Sequence, residues 1–248
     1  MITIKTEDEL KFIRQACKVA AEVLKAAGDQ VKGGMSTGEL DAFIESEILK
    51  KGAKPAFKGY RGYRHASCLS VNEEIVHGIP SNRVLKEGDI IGIDVGTIVG
   101  GFYGDNAKTC LVGKVSGSAE KLVKATYECL SIAVKRAKNG AHVGDISSAI
   151  EQLAKSKGYS VVKDLFGHGV GKALHEDPLI PNFGKPGAGP KLEKGMVFAI
   201  EPMLNIGGSD IVTLDDGWTV VTRDRQLSAH FEHTILITGS EAEVLTRI

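Results

Sequence analysis

Residues 18–52 read KVAAEVLKAAGDQVKGGMSTGELDAFIESEILKKG, and residues 124–158 read KATYECLSIAVKRAKNGAHVGDISSAIEQLAKSKG. Laid over each other at an offset of 106, the two stretches share eleven identities in 35 positions. Lys18, Glu22, Leu24, Ala27, Lys32, Gly34, Gly38, Ile44, Glu45, Lys51 and Gly52 match Lys124, Glu128, Leu130, Ala133, Lys138, Gly140, Gly144, Ile150, Glu151, Lys157 and Gly158. About two identities would be expected at ordinary residue frequencies, so the chain reads as an internal duplication. Each copy spells two helices. Thr6 with Glu9 is a capping-box pattern opening a helix to about Ala27, and Ser36 with Glu39 opens a second that stops at Gly52. In the second copy Ser118 begins a helix to about Lys138, Asn139-Gly140 ends it, and Asp145 caps another running to Gly158.

Working outward from the repeat, short runs rich in Ile, Val, Cys and Ser between Gly and Asn punctuation predict strands near 66–71, 73–77, 89–97, 102–105 and 109–113. After the second helix pair, strands are expected near 160–164, 196–204, 211–214, 218–222 and 230–238, with Asp215-Asp216-Gly217 as a hairpin turn. The predicted fold is α+β: one domain over residues 1–248, made of two halves at about 1–115 and 116–248 related by a pseudo-twofold. Helix pairs would cover one face of a joined, curved antiparallel sheet and leave the concave face free. A site at the junction would draw side chains from both halves.

Composition narrows the functional classes. With 42% apolar and 25% charged residues, the chain is an ordinary globular protein. Lys plus Arg balance Asp plus Glu at 31 each, so no net field attracts DNA or an anionic bilayer. The opening residues lack a basic segment followed by an apolar one, and no apolar run approaches the roughly 18 residues of a membrane span. A cytoplasmic protein is expected. Cys17, Cys68, Cys110 and Cys129 are scattered without a C-x-x-C pair, which fits a reducing compartment; Cys17 and Cys129 read as small buried residues on helices.

The chemistry lies in acids placed among apolar residues. Asp94 sits in Ile90-Ile91-Gly92-Ile93-Asp94-Val95, Glu201 in Val197-Phe198-Ala199-Ile200-Glu201-Pro202, and Glu232 just before Thr234-Ile235-Leu236-Ile237. A desolvated carboxylate costs several kcal/mol unless something compensates it, and none of these strands carries a Lys or Arg. Protonation, a distant base or a metal ion remain. With Asp105, eleven residues after Asp94 across the Gly100-Gly101 turn, there are four carboxylates whose charge two divalent cations would cancel. His168, in Gly167-His168-Gly169, adds an imidazole on a segment whose glycines would let a ligand approach the backbone. His77 ends an alternating strand and His175 follows the glycine run; spacing alone leaves each open between a structural and a functional role. His65, His142, His230 and His233 read as surface or supporting residues.

Val71-Asn72-Glu73-Glu74-Ile75-Val76-His77-Gly78-Ile79-Pro80, Asp94 with Asp105, Gly167-His168-Gly169 followed by His175-Glu176-Asp177-Pro178, Ala199-Ile200-Glu201-Pro202-Met203 and Phe231-Glu232-His233-Thr234 together resemble the type I methionine aminopeptidases. The match runs in order from residue 6 to the last strand. The resemblance implies the "pita-bread" fold with a central dinuclear metal site. It implies Asp94, Asp105, His168, Glu201 and Glu232 as ligands of two divalent ions (Co, Mn, Fe or Zn), with Asp105 and Glu232 bridging. Glu201 would also shuttle protons, His77 and His175 would contact substrate at the scissile peptide, and Tyr60, Tyr63, Cys68 and Trp218 would line a methionine pocket. Leu174 stands where relatives often carry an aromatic ring, Gly96 where a hydroxyl residue is common, and Ala199 where Thr is frequent.

The implied reaction is removal of the first methionine when the second residue is small. Nascent chain ends would be the substrates, with transient ribosome contact, no DNA or membrane partner, and a monomer as the working unit. Proline-specific peptidases of the same superfamily, such as aminopeptidase P and prolidase, share the five ligands but usually carry an extra N-terminal domain, for which residues 1–60 are too short. Relatives that keep the fold as binding proteins lose ligands, whereas all five are present here.

Overall fold

The computed structural model describes residues 1–248. Its four helices are α1 (Glu7–Gln30), α2 (Thr37–Lys50), α3 (Gly117–Arg136) and α4 (Val143–Ser156). Both expected capping boxes form at α1 and α2: Thr6 and Ser36 accept from the Glu9 and Glu39 N–H, and each Glu reaches back to the cap N–H. At α4 the expectation needs correction. The helix starts at Val143, and Asp145 is its third residue, whose carboxylate accepts the His142 N–H at 2.7 Å.

Positions that match across the repeat do the same work in both helix pairs. Leu24, Ala27 and Ile44 are buried in one core cluster, and Leu130, Ala133 and Ile150 in another. Glu22 pairs with Lys51 between α1 and α2 as Glu128 pairs with Lys157 between α3 and α4. Gly34 and Gly140, with φ of 89° and 88°, turn the chain between the helices of each pair, where a Cβ would be strained. Even the isolated bridges correspond: Ser36 pairs with Val84, and His142 with Lys191.

The principal strands are β1 (Ser67–Val71), β2 (Ile90–Val99), β3 (Phe102–Leu111), β4 (Phe166–Gly169), β5 (Glu176–Pro181), β6 (Val197–Ile200) and β7 (Glu232–Ile237). They form one antiparallel sheet in the order β2-β3-β7-β6-β4-β5, with β1 and Lys54–Pro55 along the free edge of β2 and Ala242–Val244 on β7. The two halves meet where β3 pairs with β7. That pairing covers only Glu232 with Ala107 and His233 with Asn106. Beyond it the strands part, and Thr234 Oγ1 donates to the Asp105 carbonyl at 2.7 Å, while α1 fills the gap with Leu10, Ile13 and Cys17. Period-2 alternation does the rest. Ile91, Ile93 and Val95 pack with α1 and α2, so Asp94 between them faces the other way; Ile235 and Ile237 pack with α3 and α4, so Glu232 does too.

Several strands depart from expectation. The predicted strands 102–105 and 109–113 are one continuous β3, because polar Asn106 and Lys108 lie in the sheet and not in a turn. The run 196–204 is broken after Ile200, where Pro202 has no N–H to give a ladder, and resumes as Met203–Asn205 in a small sheet with Ser160–Val161 and Ser228–His230. β4 and β5 carry Gly167, Gly169, Pro178 and Pro181, which read as loop in the sequence. No helix is long and apolar enough to cross a membrane.

Ile44 and Ile150 are both fully buried, in separate clusters. Ile44→Ala and Ile150→Ala should each cost about 2–5 kcal/mol. At roughly 2–4 °C per kcal/mol, thermal unfolding should show comparable drops in Tm for the two single variants and near-additive loss in the double. A neutral result at either position would show that the matched residues do not carry equivalent cores.

Candidate metal centre

Asp94 lies opposite Ala107, Ala107 lies opposite Glu232, and Asp105 is two residues along β3 from Ala107, so register alone puts three carboxylates on one face. β4 meets β6 through Gly169 and Phe198, bringing His168 beside Glu201 at the end of β6. The glycines flanking His168 serve a different purpose from the one expected. A Cβ at Gly167 would stand 2.4 Å from the Ala199 carbonyl and one at Gly169 2.1 Å from the Asp177 carbonyl, so they admit the neighbouring strands' backbones and not a ligand.

These side chains converge on a cavity of about 360 Å³ lined by Asp94, Asp105, His168, Glu201 and Glu232 at its floor. His77, His175, Tyr60, Tyr63, Cys68 and Trp218 line the same cavity. So do Phe57, Arg61 and Leu174, which the sequence reading did not place there as lining residues. A larger cleft of about 540 Å³ lies on the helix-bearing side of the sheet and contains none of the four acids. In the cavity, ligand atoms of Asp105, His168 and Glu232 all lie within 4.8 Å of one another. His168 Nε2 stands 3.7 Å from Glu201 Oε1 and 3.9 Å from Asp105 Oδ2.

The electrostatics of this cluster are unfavourable as they stand. Burial, reinforced by repulsion from Asp105 and Glu201, raises the Asp94 and Glu232 carboxyls well above their usual range. Burial pushes Asp105 and Glu201 up to about 7. Asp94 Oδ1 and Glu232 Oε1 are buried without a hydrogen-bond partner. His168 Nδ1 lies 3.0 Å from the Gly169 carbonyl, which can only accept, so the proton belongs on Nδ1 and the Nε2 lone pair faces the acids. Lone pair against ionised carboxylates is repulsive unless a proton or a cation stands between them, and four ionised acids together favour the cation. Hard oxygens plus one imidazole suit a divalent metal, and the ion pairs that Asp105 and Glu201 make are with histidines and not with any Lys or Arg.

Three histidines near the acids are held neutral. Burial lowers His77 and His230 to about 4 and His175 to about 3. His77 has φ 59°, an uncommon left-handed backbone for a non-glycine residue, which aims its ring into the cavity. His175 Nδ1 is 2.8 Å from the Tyr60 hydroxyl, and its ring centroid is 4.2 Å from that of His168. His230 takes the supporting one of its two expected places: it is buried, and its unpartnered Nε2 is 3.5 Å from Glu201 Oε2. The signal was available, since His230 stands two residues before Glu232. His65 instead pairs with Asp41, and His233 faces away from Glu232 toward Thr246.

Beside the acids is an apolar recess. Phe57, Tyr63, Cys68 and Leu174 belong to one cluster with Tyr60 and Trp218 at its rim, and the Tyr63 and Trp218 rings meet edge-on with centroids 5.0 Å apart. Tyr63 donates to the Ser67 carbonyl at 2.9 Å. Asp216 accepts the Trp218 N–H at 2.8 Å, which fixes how the hairpin presents the indole. Burial, then Asp94 beside it, keeps the Cys68 thiol protonated. The Gly96 position has a local cause: a Cβ there would come within 2.5 Å of the Phe57 ring.

The arrangement defines a metallopeptidase of the M24 class, and residues 11–239 match the model of metallopeptidase family M24. Methionine aminopeptidase 1 of Bacillus subtilis is 49% identical over 248 residues, covering all of both chains. The crystal structure of methionine aminopeptidase from Thermotoga maritima superposes with a TM-score of 0.99 at 46% identity over all of both chains. A prolidase from Pyrococcus furiosus is similar at 26% identity and TM-score 0.81, with 65% of its length covered. The chain belongs to metallopeptidase family M24 and, within it, to the methionine aminopeptidases.

The titrations make a signed prediction. Carboxyls raised to about 7 when folded, against about 4 unfolded, hold protons that the unfolded chain lacks, so their contribution is present below about pH 4 and lost as pH rises through 7. The depressed histidines act oppositely, but only up to their unfolded value of about 6.5. Chelator-treated protein should therefore lose Tm between pH 6.5 and 8, and added Mn should restore more at pH 8 than at pH 6.5. Asp94→Asn should raise the Tm of chelated protein while abolishing the Mn effect. A chelated protein that gains Tm over that range contradicts the reading.

Proposed function

We propose that this chain removes the N-terminal methionine from peptides and nascent proteins whose second residue is small. The observation that carries the proposal is the joining, in one cavity, of a buried acid–imidazole cluster to a closed recess of aromatic rings and a thiol. An unbranched, polarizable methionine side chain suits that recess. In this reading Asp94, Asp105, His168, Glu201 and Glu232 would hold two divalent ions drawn from Co, Mn, Fe or Zn. Such ions would supply Lewis acidity at the scissile carbonyl and would bring the pKa of a water down to about 7.

The chain's own groups do the rest. Glu201 accepts the proton from the attacking water and returns it to the leaving amine. When the Tyr60 hydroxyl donates to His175 Nδ1, the ring proton sits on Nε2, where it can donate to the oxyanion of the tetrahedral intermediate. His77 stands on the side of the cavity that meets the second residue, and its ring, neutral at pH 7, offers one N–H and one lone pair. The substrate's free α-amine lies near the acids, so only a chain end fits. Chains that have lost their formyl group supply such ends, so the enzyme works in the cytoplasm as a monomer in transient contact with the ribosome.

His175→Ala and His77→Ala should leave bound metal intact and lower kcat about a hundredfold, the loss of roughly 3 kcal/mol of transition-state hydrogen bonding. Loss of metal in either variant would make that histidine a ligand. Substrate choice is read from a Met-Xaa-Ser series compared by kcat/KM, with Xaa-Pro-Xaa peptides alongside. Met should be released before Ala, Gly, Ser, Thr, Cys, Pro or Val and retained before Lys, Arg, Leu, Phe or Glu. Equal rates for Met-Ala-Ser and Met-Lys-Ser, or faster cleavage of the Xaa-Pro series, would sink the methionine reading.

A further inference from the structure

His175 sits between two anchors. On one side Leu174 is buried in the recess cluster with Phe57, Tyr63 and Cys68. On the other, Glu176 turns away from the cavity and meets the first residues of the chain. Its Oε2 accepts from Lys5 Nζ and, at 3.0 Å, from Thr3 Oγ1, while its Oε1 accepts from the Ala173 N–H at 3.1 Å. The ion pair is largely shielded, with side-chain exposures of 6% for Lys5 and 14% for Glu176. Further along, the Met1 ammonium pairs with Asp177.

The recess for this pair is built into the backbone. A Cβ at Gly171 would stand 2.4 Å from Lys5 Nζ and 2.5 Å from Glu176 Oε1, so the glycine lets the pair lie directly against the backbone, and a side chain there would push both charged ends aside. The Lys5 N–H also donates to the Gly195 carbonyl at 2.9 Å, just before the strand Val197–Ile200 that leads into Glu201. The N-terminal segment thus bridges the segment that delivers Glu201 and the loop that delivers His175. A lysine so desolvated needs a partner, and the carboxylate chosen is the chain neighbour of a histidine 4.2 Å, ring to ring, from His168.

We infer that residues 1–5 form a brace that sets the position of His175, with Lys5 and Glu176 as positioning residues acting through the 171–176 loop. The inference rests on the proposed role of His175 at the scissile bond. A displacement of about 1 Å in a reacting group can cost a hundredfold in rate, even when its origin is remote. The Lys5–Glu176 ion pair itself includes no metal-holding residue and no recess side chain, and Lys5→Met keeps the backbone bond to Gly195, so loss of the pair should appear in kcat and not in KM or metal content.

The test uses metal-loaded full-length enzyme and Met-Ala-Ser. Lys5→Met should lower kcat about 10- to 100-fold with KM within about twofold, and Lys5→Arg should recover most of it. In a His175→Ala background, Lys5→Met should change kcat by less than about twofold, because the group it positions is gone. Hydrogen exchange of residues 170–178 should quicken in Lys5→Met, starting with the Ala173 amide. Should Lys5→Met fail to fold, Glu176→Gln removes the charge while keeping an acceptor for Ala173 and is read the same way. Unchanged kcat, or the same fold-loss with and without His175, overturns the brace. Inactivity of the unmutated enzyme on Met-Ala-Ser overturns the methionine reading instead, and the exchange measurement still decides the brace.

Discussion

Four carboxylates gathered on one side of an antiparallel sheet, Asp105 and Glu232 buried and Asp94 and Glu201 half-buried, set the terms for the rest of the molecule. An ionised carboxylate moved into a protein interior carries a penalty of several kcal/mol, and placing four together adds mutual repulsion. Here the penalty is visible in Asp94 and Glu232, whose carboxyls are raised well above their usual range and keep an oxygen each without a partner. The sheet cannot relieve this by turning the side chains outward. A one-residue slip of β2 or β7 would put Ile91, Ile93, Val95, Ile235 and Ile237 into the cavity and strand the helices above them. The cores therefore fix the acids in place, and the cost of the acids falls to whatever cation they bind.

That division of labour explains why the helices and the site lie on opposite sides of the same strands. α1 with α2 and α3 with α4 clamp the apolar residues of each half, and the corresponding Glu22–Lys51 and Glu128–Lys157 pairs tie the helices together. The β3–β7 junction then brings Asp94 and Asp105 from one half against Glu232 from the other. Neutral imidazoles and an apolar recess complete the wall, so the cavity combines strong local charge with a hydrophobic side pocket. Such a site favours a ligand with a charged amine beside an unbranched apolar chain.

Much of this was legible in the sequence, and for physical reasons. Helix pairs announce themselves by capping residues and periodicity, and the repeat at an offset of 106 doubled that signal. Acids inside Ile- and Val-rich strands stand out because nothing local compensates them. What stayed hidden depends on tertiary neighbours. β4 and β5 look like loops because their glycines and prolines answer to the close approach of adjacent strands, as Gly167 and Gly169 show. Phe57 carries no motif and enters the cavity only because Gly96 yields space to its ring. His230, two residues before Glu232, could be read as a supporting residue, but its 3.5 Å approach to Glu201 depends on how Ser228–His230 packs.

The central claim is that the buried acids and His168 are held together by divalent cations. Anomalous diffraction at the manganese edge, from crystals of the full chain grown with Mn, tests it most directly. The account predicts two anomalous peaks in the cavity, within coordination distance of the side chains of Asp94, Asp105, His168, Glu201 and Glu232. An empty cavity at saturating Mn, or peaks only at surface carboxylates, would contradict it.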